Sequence, residues 1–147
     1  MCPTLTSDFE IVDVTVADRY ENLLYKRLTP APFRKYRLRR EYLEAAISKG
    51  FHKKILFSGG EPIGMVKYAD AYGSGFPISG EDIVVMNCIW VLRKAKGHNL
   101  GKRLLSDMAQ SAKNAVGFAT IGLENHWSGW MKKEQLEKLG FKSLDSV

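Results

Sequence analysis

The segment Arg93-Lys94-Ala95-Lys96-Gly97-His98-Asn99-Leu100-Gly101-Lys102-Arg103 sets five cationic side chains around two glycines. It lies between an apolar run and the start of a helical pattern. A turn of this kind can aim several backbone N–H groups at one point, where the dipole of the following helix also favours negative charge. A diphosphate is the natural occupant. Cations at a helix N-terminus are disfavoured unless an anion joins them, which counts against a merely solvated basic face. The spacing excludes other phosphate motifs. Three residues separate Gly97 from Gly101 and Arg103 follows Lys102, unlike the Walker loop, and no Gly-x-Gly-x-x-Gly occurs.

The elements needed to hold such a turn are visible on both sides. The β-branched run 83–92 reads as a central strand, and the spacing of Leu100, Leu104, Leu105, Met108 and Ala112 predicts a helix over 100–115. Upstream, 9–16 reads as a first strand and 18–28 as a helix capped by Asp18. A second helix is expected from 32 or 33 to 48, closed by Gly50. Residues 55–57 and 63–68, joined by Gly59-Gly60, form a hairpin. The stretch 69–82, with three glycines and a proline, is a long connection. Downstream, 118–123 reads as a strand, Ser128 can cap a helix over 130–139 ended by Gly140, and another strand begins at Phe141. The order β-α-α-β-β-β-α-β-α-(β) predicts one α/β domain over 1–147, a mixed sheet with helices on both faces.

Bulk properties agree with a globular protein. The chain has 147 residues, 45% hydrophobic and 26% charged, and no apolar run near the roughly 20 residues a bilayer requires. No membrane contact and a cytoplasmic location are therefore expected. Cys2 and Cys88 are too few for a disulfide framework. His52, His98 and His126 stand at no metal-ligand spacing, so no metal is expected. The net charge of +6 points to an anionic partner. Besides the turn, it gathers in 34–40, Arg-Lys-Tyr-Arg-Leu-Arg-Arg. On a helix that segment is a solvated stripe, an acceptor or cofactor contact, or a phosphate-backbone track for nucleic acid.

Lys96-Gly97-His98-Asn99-Leu100-Gly101 resembles motif A of the GCN5-related N-acetyltransferase (GNAT) superfamily: Arg or Gln, two residues, Gly, one residue, then Gly or Ala. Lys96 replaces the usual first residue and Asn99 the first motif glycine. Asn is the best non-glycine substitute for an unusual backbone conformation. Glu137-Lys138-Leu139-Gly140-Phe141 resembles the ending of the family's last helix, and the element order agrees over nearly the whole chain. Asn87 to Val91 with Lys96 to His98 also resembles a bacterial and archaeal subgroup that carries a second small domain.

The resemblance implies a three-layer α/β/α fold and an acyl-CoA cosubstrate, acetyl-CoA by default. The acceptor is an unidentified amine on a small molecule or protein. The pantetheine arm would pair with the backbone of Ile89, Trp90 and Val91. The diphosphate would lie on the N–H groups of Gly97, His98, Asn99, Leu100 and Gly101, with Lys96 and Lys102 beside it. The family's usual proton donor, a Tyr, falls at Leu136. Glu124 and His126, just past the fifth strand, are then the candidates for the base, with Asp82 a weaker one. Two rival functions remain: an inactive acyl-CoA sensor, and a nucleic-acid-binding module built on 34–40. The family's closing strand is missing from the sequence, which predicts self-association or a further C-terminal domain.

Overall fold

A computed structural model describes residues 8–15, 37–124 and 131–146, with 37–40 described by backbone alone. Five strands form one sheet in the order β1-β2-β3-β4-β5. They are β1 (Phe9–Asp13), β2 (His52–Ser58), β3 (Glu61–Asp70), β4 (Ile83–Val91) and β5 (Gly117–Ala119). The first four pair antiparallel in sequence order, and β5 joins β4 in parallel. Among the described residues three α-helices accompany them: α1 (Arg37–Ser48), α2 (Leu100–Ser111) and α3 (Lys133–Lys138).

Strand alternation splits the core into two layers. On β2, Leu56 joins Val66, Val84 and Met86 under Leu100, Leu104 and Met108 of α2, together with Leu136 of α3. Its neighbours Ile55 and Phe57 face the other way, toward Leu43 and Ala46 of α1, with Met65 and Cys88. Positions 100, 104 and 108 recur once per turn, so one stripe of α2 is buried while Lys102, Arg103 and Ser106 stay exposed. Cys88 is a buried thiol. The mixed sheet with helices on both faces is the architecture read from the sequence.

Gly50 closes α1 with φ +93°, and a Cβ there would stand 2.8 Å from Asp70 Oδ2. The positive φ calls for glycine, while the Asp70 carboxylate, at the end of a side chain, could swing aside.

Several boundaries differ from expectation. The expected first helix, 18–28, lies outside the described residues. Helix α2 stops at Ser111 rather than 115, because Ala112 leaves helical geometry (φ −104°, ψ 53°). The Val116 N–H then bonds the Asp82 carbonyl at 2.8 Å. Strand β5 ends at Ala119 rather than 123, and the Thr120 hydroxyl instead donates to the Met86 carbonyl at 2.7 Å. Helix α3 starts at Lys133 rather than 130. Residues 131–133 are occupied in pairing with Leu123, whose N–H bonds the Met131 carbonyl and whose carbonyl accepts from Lys133. No strand forms over 141–146. Phe141 closes α3 instead, donating to the Leu136 carbonyl at 3.1 Å behind Gly140 at φ +107°. No helix among the described residues is long and apolar enough to cross a membrane.

Candidate functional site

Strand β4 is paired from Val84 to Val91 on one side, with Asn87 left out of the register, and only at its beginning on the other. Toward β3, Ile89 faces Val66, Trp90 faces Met65 and Val91 faces Gly64. Toward β5, the ladder covers Ile83, Val84 and Val85 and then stops. From Met86 to Val91 the two strands part, and a stretch of central strand keeps an edge that no described strand completes. Ile89 and Val91 pack against the α2-side core, while Trp90 is 39% exposed. The strand is thus both a packing element and an open edge that an extended ligand can join.

The open edge leads directly into the basic turn. After β4 a short 3₁₀ turn over Arg93–Ala95 buries Ala95. Lys96 is extended and Gly97 has φ +94° with open space where a side chain would stand. Asn99 lies in the left-handed region (φ 56°, ψ 29°), the conformation its motif position calls for. The first helical bond of α2 runs from Arg103 N–H to the Asn99 carbonyl at 3.2 Å. The amides of Leu100, Gly101 and Lys102 lie inside the first turn, where a helix supplies no partner. Lys96, Gly97, His98, Asn99 and Lys102 are exposed, and Leu100 is buried as an anchor. The cations differ in role: Lys94 is paired with Glu61, and the Arg103 guanidinium lies 5.4 Å from the centre of the Phe9 ring. Exposed amides, a helix N-terminus and cations converge here, an arrangement suited to a diphosphate.

The expected proton-handling residues are less well gathered. Glu124 is exposed, with Lys133 Nζ at 3.7 Å. His126 lies outside the described residues. Asp82 is exposed, with φ 56°, at the opposite end of β4 from the turn. Leu136 is 4% exposed and belongs to the α2-side core, so its position holds packing rather than chemistry. Its Cδ1 stands 3.0 Å from where a Gly122 Cβ would be. Leu136→Tyr is therefore expected to overpack the core and lower stability by about 1.5 kcal/mol, read from the denaturant midpoint. An unchanged midpoint would mean that the site has room for a phenol. In the segment 34–40, residues 37–40 belong to α1 by backbone and the rest lies outside the described residues. Among the described residues no three His, Cys, Asp or Glu side chains are grouped as a metal would need.

A second polar cluster was not read from the sequence, because its members are far apart in the chain. His52 Nδ1 is 2.8 Å from Asp13 Oδ2, and its ring stacks on Tyr68 at 5.2 Å. These three, with Gly50, Asp70, Val84, Ser111 and Ala112, line a cavity of about 230 Å³ near the C-terminal end of α2. Burial, reinforced by the charges of Asp13 and Asp107, pushes the Tyr68 phenol up to about 12 despite a hydrogen bond with Ser111. Burial alone would raise Asp13, but hydrogen bonds from His52 and Thr15 and the charge of His52 outweigh it and hold the carboxyl below its ordinary value. A depressed folded pKa contributes stability above the unfolded value, near 3.9, and loses it as pH falls through the folded one. His52→Ala should therefore move the acid-unfolding midpoint to higher pH, and an unmoved midpoint would show that the pair contributes nothing.

Comparison with known proteins joins this geometry to a family. A family model described as acetyltransferase (GNAT) matches residues 15–140. Among solved structures, the aminoglycoside 6′-N-acetyltransferase AAC(6′)-Ih from Acinetobacter baumannii superposes with a TM-score of 0.72. It is 14% identical and covers 95% of each chain. AAC(6′)-IG from Acinetobacter haemolyticus gives 0.70 at 15% identity, covering 94% of each chain. AAC(6′)-Iy, solved with the bisubstrate analogue CoA-S-monomethyl-acetylneamine, gives 0.68 at 18% identity, covering 96% of this chain and 95% of that one. At such identities the likeness is one of fold. No curated protein matches the chain in sequence.

Proposed function

Because the chain belongs to the acetyltransferase (GNAT) family, we propose that it is an acyl-CoA-dependent N-acyltransferase that uses acetyl-CoA and acts as a single 1–147 unit. The observation that carries this reading is the continuity of the open β4 edge with the anion-ready turn. A ligand with an extended amide-bearing arm and a diphosphate finds both features in one line. The arm would pair along Ile89, Trp90 and Val91. The diphosphate would rest on the amides of 97–101, with Lys96 and Lys102 screening its charge.

In the reaction the acceptor nitrogen, having lost a proton to solvent or a base, attacks the thioester carbon. The C–N bond forms, the C–S bond breaks, and the departing thiolate takes a proton while the nitrogen sheds one. Glu124 and His126 remain the candidate bases. Leu136 cannot serve as the acid, so the thiolate takes its proton from another side chain or from water, the latter also after it has departed unprotonated. A reducing, cytoplasmic setting suits the buried Cys88 thiol.

The apolar Leu136 also favours a second reading, a domain that binds acyl-CoA without turnover. One experiment separates the two. Free-CoA release from acetyl-CoA is measured across a panel of amines, aminoglycosides included because several neighbours of similar fold act on them. Calorimetric acetyl-CoA binding is measured alongside. Release with any acceptor supports the enzyme, binding alone supports the sensor, and neither removes both.

A further inference from the structure

The central strand contains one residue too many. Lys67 of β3 faces Cys88 and Tyr68 faces Met86, so Asn87 is a bulge with no cross-strand partner. Bulges re-aim side chains and are frequent beside active sites. This one falls where the β5 ladder has ended and the open edge of β4 begins. The Asn87 side chain is itself half used. Its Nδ2 donates to the Ser74 carbonyl at 2.7 Å, while Oδ1, shut away from solvent, accepts from no donor among the described residues. A buried carbonyl oxygen without a donor is uncommon and calls for a reason.

The position of Asn87 suggests that reason. Cys88, the next residue, packs into the α1-side core. A Cβ on Gly75, next to Ser74, would lie 3.3 Å from the Tyr42 hydroxyl of α1. The amide thus reaches toward the α1 face, beneath the loop that joins β3 to β4. The anion-ready turn leads into α2, on the opposite face. An acyl-CoA entering from the α2 side and an acceptor entering from the α1 side would meet at the bulge.

We propose that Asn87 binds the acceptor, its Oδ1 taking an N–H of the attacking amine. This deepens the acyltransferase reading and rests on it. The substrate class is an amine that keeps an N–H in its reactive, neutral form. A carboxylate would favour the protonated, unreactive ammonium, whereas an uncharged carbonyl orients the free base without that preference. The same side chain ties the β3–β4 loop to β4 through Ser74, and that loop must lift for Oδ1 to meet a ligand.

The test is calorimetric and needs no identified acceptor. One probe is CoA whose sulfur carries CH2–C(O)–NH–propyl, which places an amide N–H close to, and one methylene beyond, the position of the attacking nitrogen. The other is CoA alone. The wild type should bind the first probe about tenfold more tightly. Asn87→Leu should abolish that advantage while keeping CoA affinity within twofold. Asn87→Asp, which retains an acceptor oxygen, should keep part of it, and Asn87→Ala serves if leucine does not fit. An advantage undiminished in Asn87→Leu overturns the proposal. Equal losses for both probes overturn it too, since Asn87 would then act through the loop or the fold. A wild type without CoA affinity removes the acyl-CoA reading itself, an outcome distinct from the other two.

Discussion

Gly101→Glu is expected to weaken acetyl-CoA binding about a hundredfold, roughly 2.7 kcal/mol. The substitution puts a carboxylate in the first turn of α2, where the helix dipole and the exposed cations favour an anion. The new side chain would satisfy that field from within and repel a diphosphate. Sterically the position is permissive. A Cβ at Gly101 would meet Leu139 Cδ2 at 3.4 Å, an ordinary contact. Gly101→Ala should therefore bind within about threefold of the wild type, which separates charge from bulk. Calorimetry on both variants, with thermal unfolding as a check of folding, gives the comparison. Glu binding as well as Ala would place the diphosphate elsewhere.

The largest stability effect is expected beneath the other end of the same helix. Lys54 points from β2 toward α2, where its ammonium is held by Asp107 and Ser111, with 9% of its side chain exposed. Asp107→Leu leaves that charge with one neutral partner, and about 3 kcal/mol should be lost. Adding Lys54→Met to the same variant should return most of the loss. An uncompensated buried cation is costly, whereas two apolar side chains of similar size can replace a buried pair with little penalty. Urea denaturation of the two variants tests this. A single-variant loss below about 1 kcal/mol would mean that the lysine stem bends and carries its head to water.

The candidate site was legible in the sequence where its signal is local. Gly97, Asn99 and Gly101 sit within five residues, and their backbone needs follow from residue type alone. The left-handed conformation of Asn99 is thus readable from the sequence alone. The strand before them and the apolar stripe of α2 are periodic and also local. What escaped depends on partners distant in the chain. The Asn87 bulge exists only against Lys67 and Tyr68. The Asp13–His52 pair spans 39 positions, and no pattern in a single sequence marks it. Helix and strand ends were misjudged where tertiary bonds override propensity. Thr120 leaves the ladder for a side-chain bond, and residues 131–133 pair with Leu123 instead of starting a helix. Phe141 reads as strand by residue type, yet it is used to terminate α3.

The extra residue at Asn87 also sets the phase of β4. Before it, the even-numbered Val84 and Met86 face the α2-side core; after it, the odd-numbered Ile89 and Val91 do. Deleting Asn87 would allow an uninterrupted ladder with β3, a local gain in regularity. Cys88 would still face Lys67 and Ile89 would still face Val66, so every residue after the deletion keeps its partner and its face. A residue removed well away from the bulge instead turns the apolar residues on one side of the cut to the wrong face, while Leu100 and Leu104 hold α2 fixed in the core beyond the strand. Frame-preserving deletions of one residue should therefore be tolerated in the 71–82 loop and at Asn87, and rejected toward both ends of β4. A deletion scan scored for soluble protein would show a step at Ile83 and an island of tolerance at the bulge.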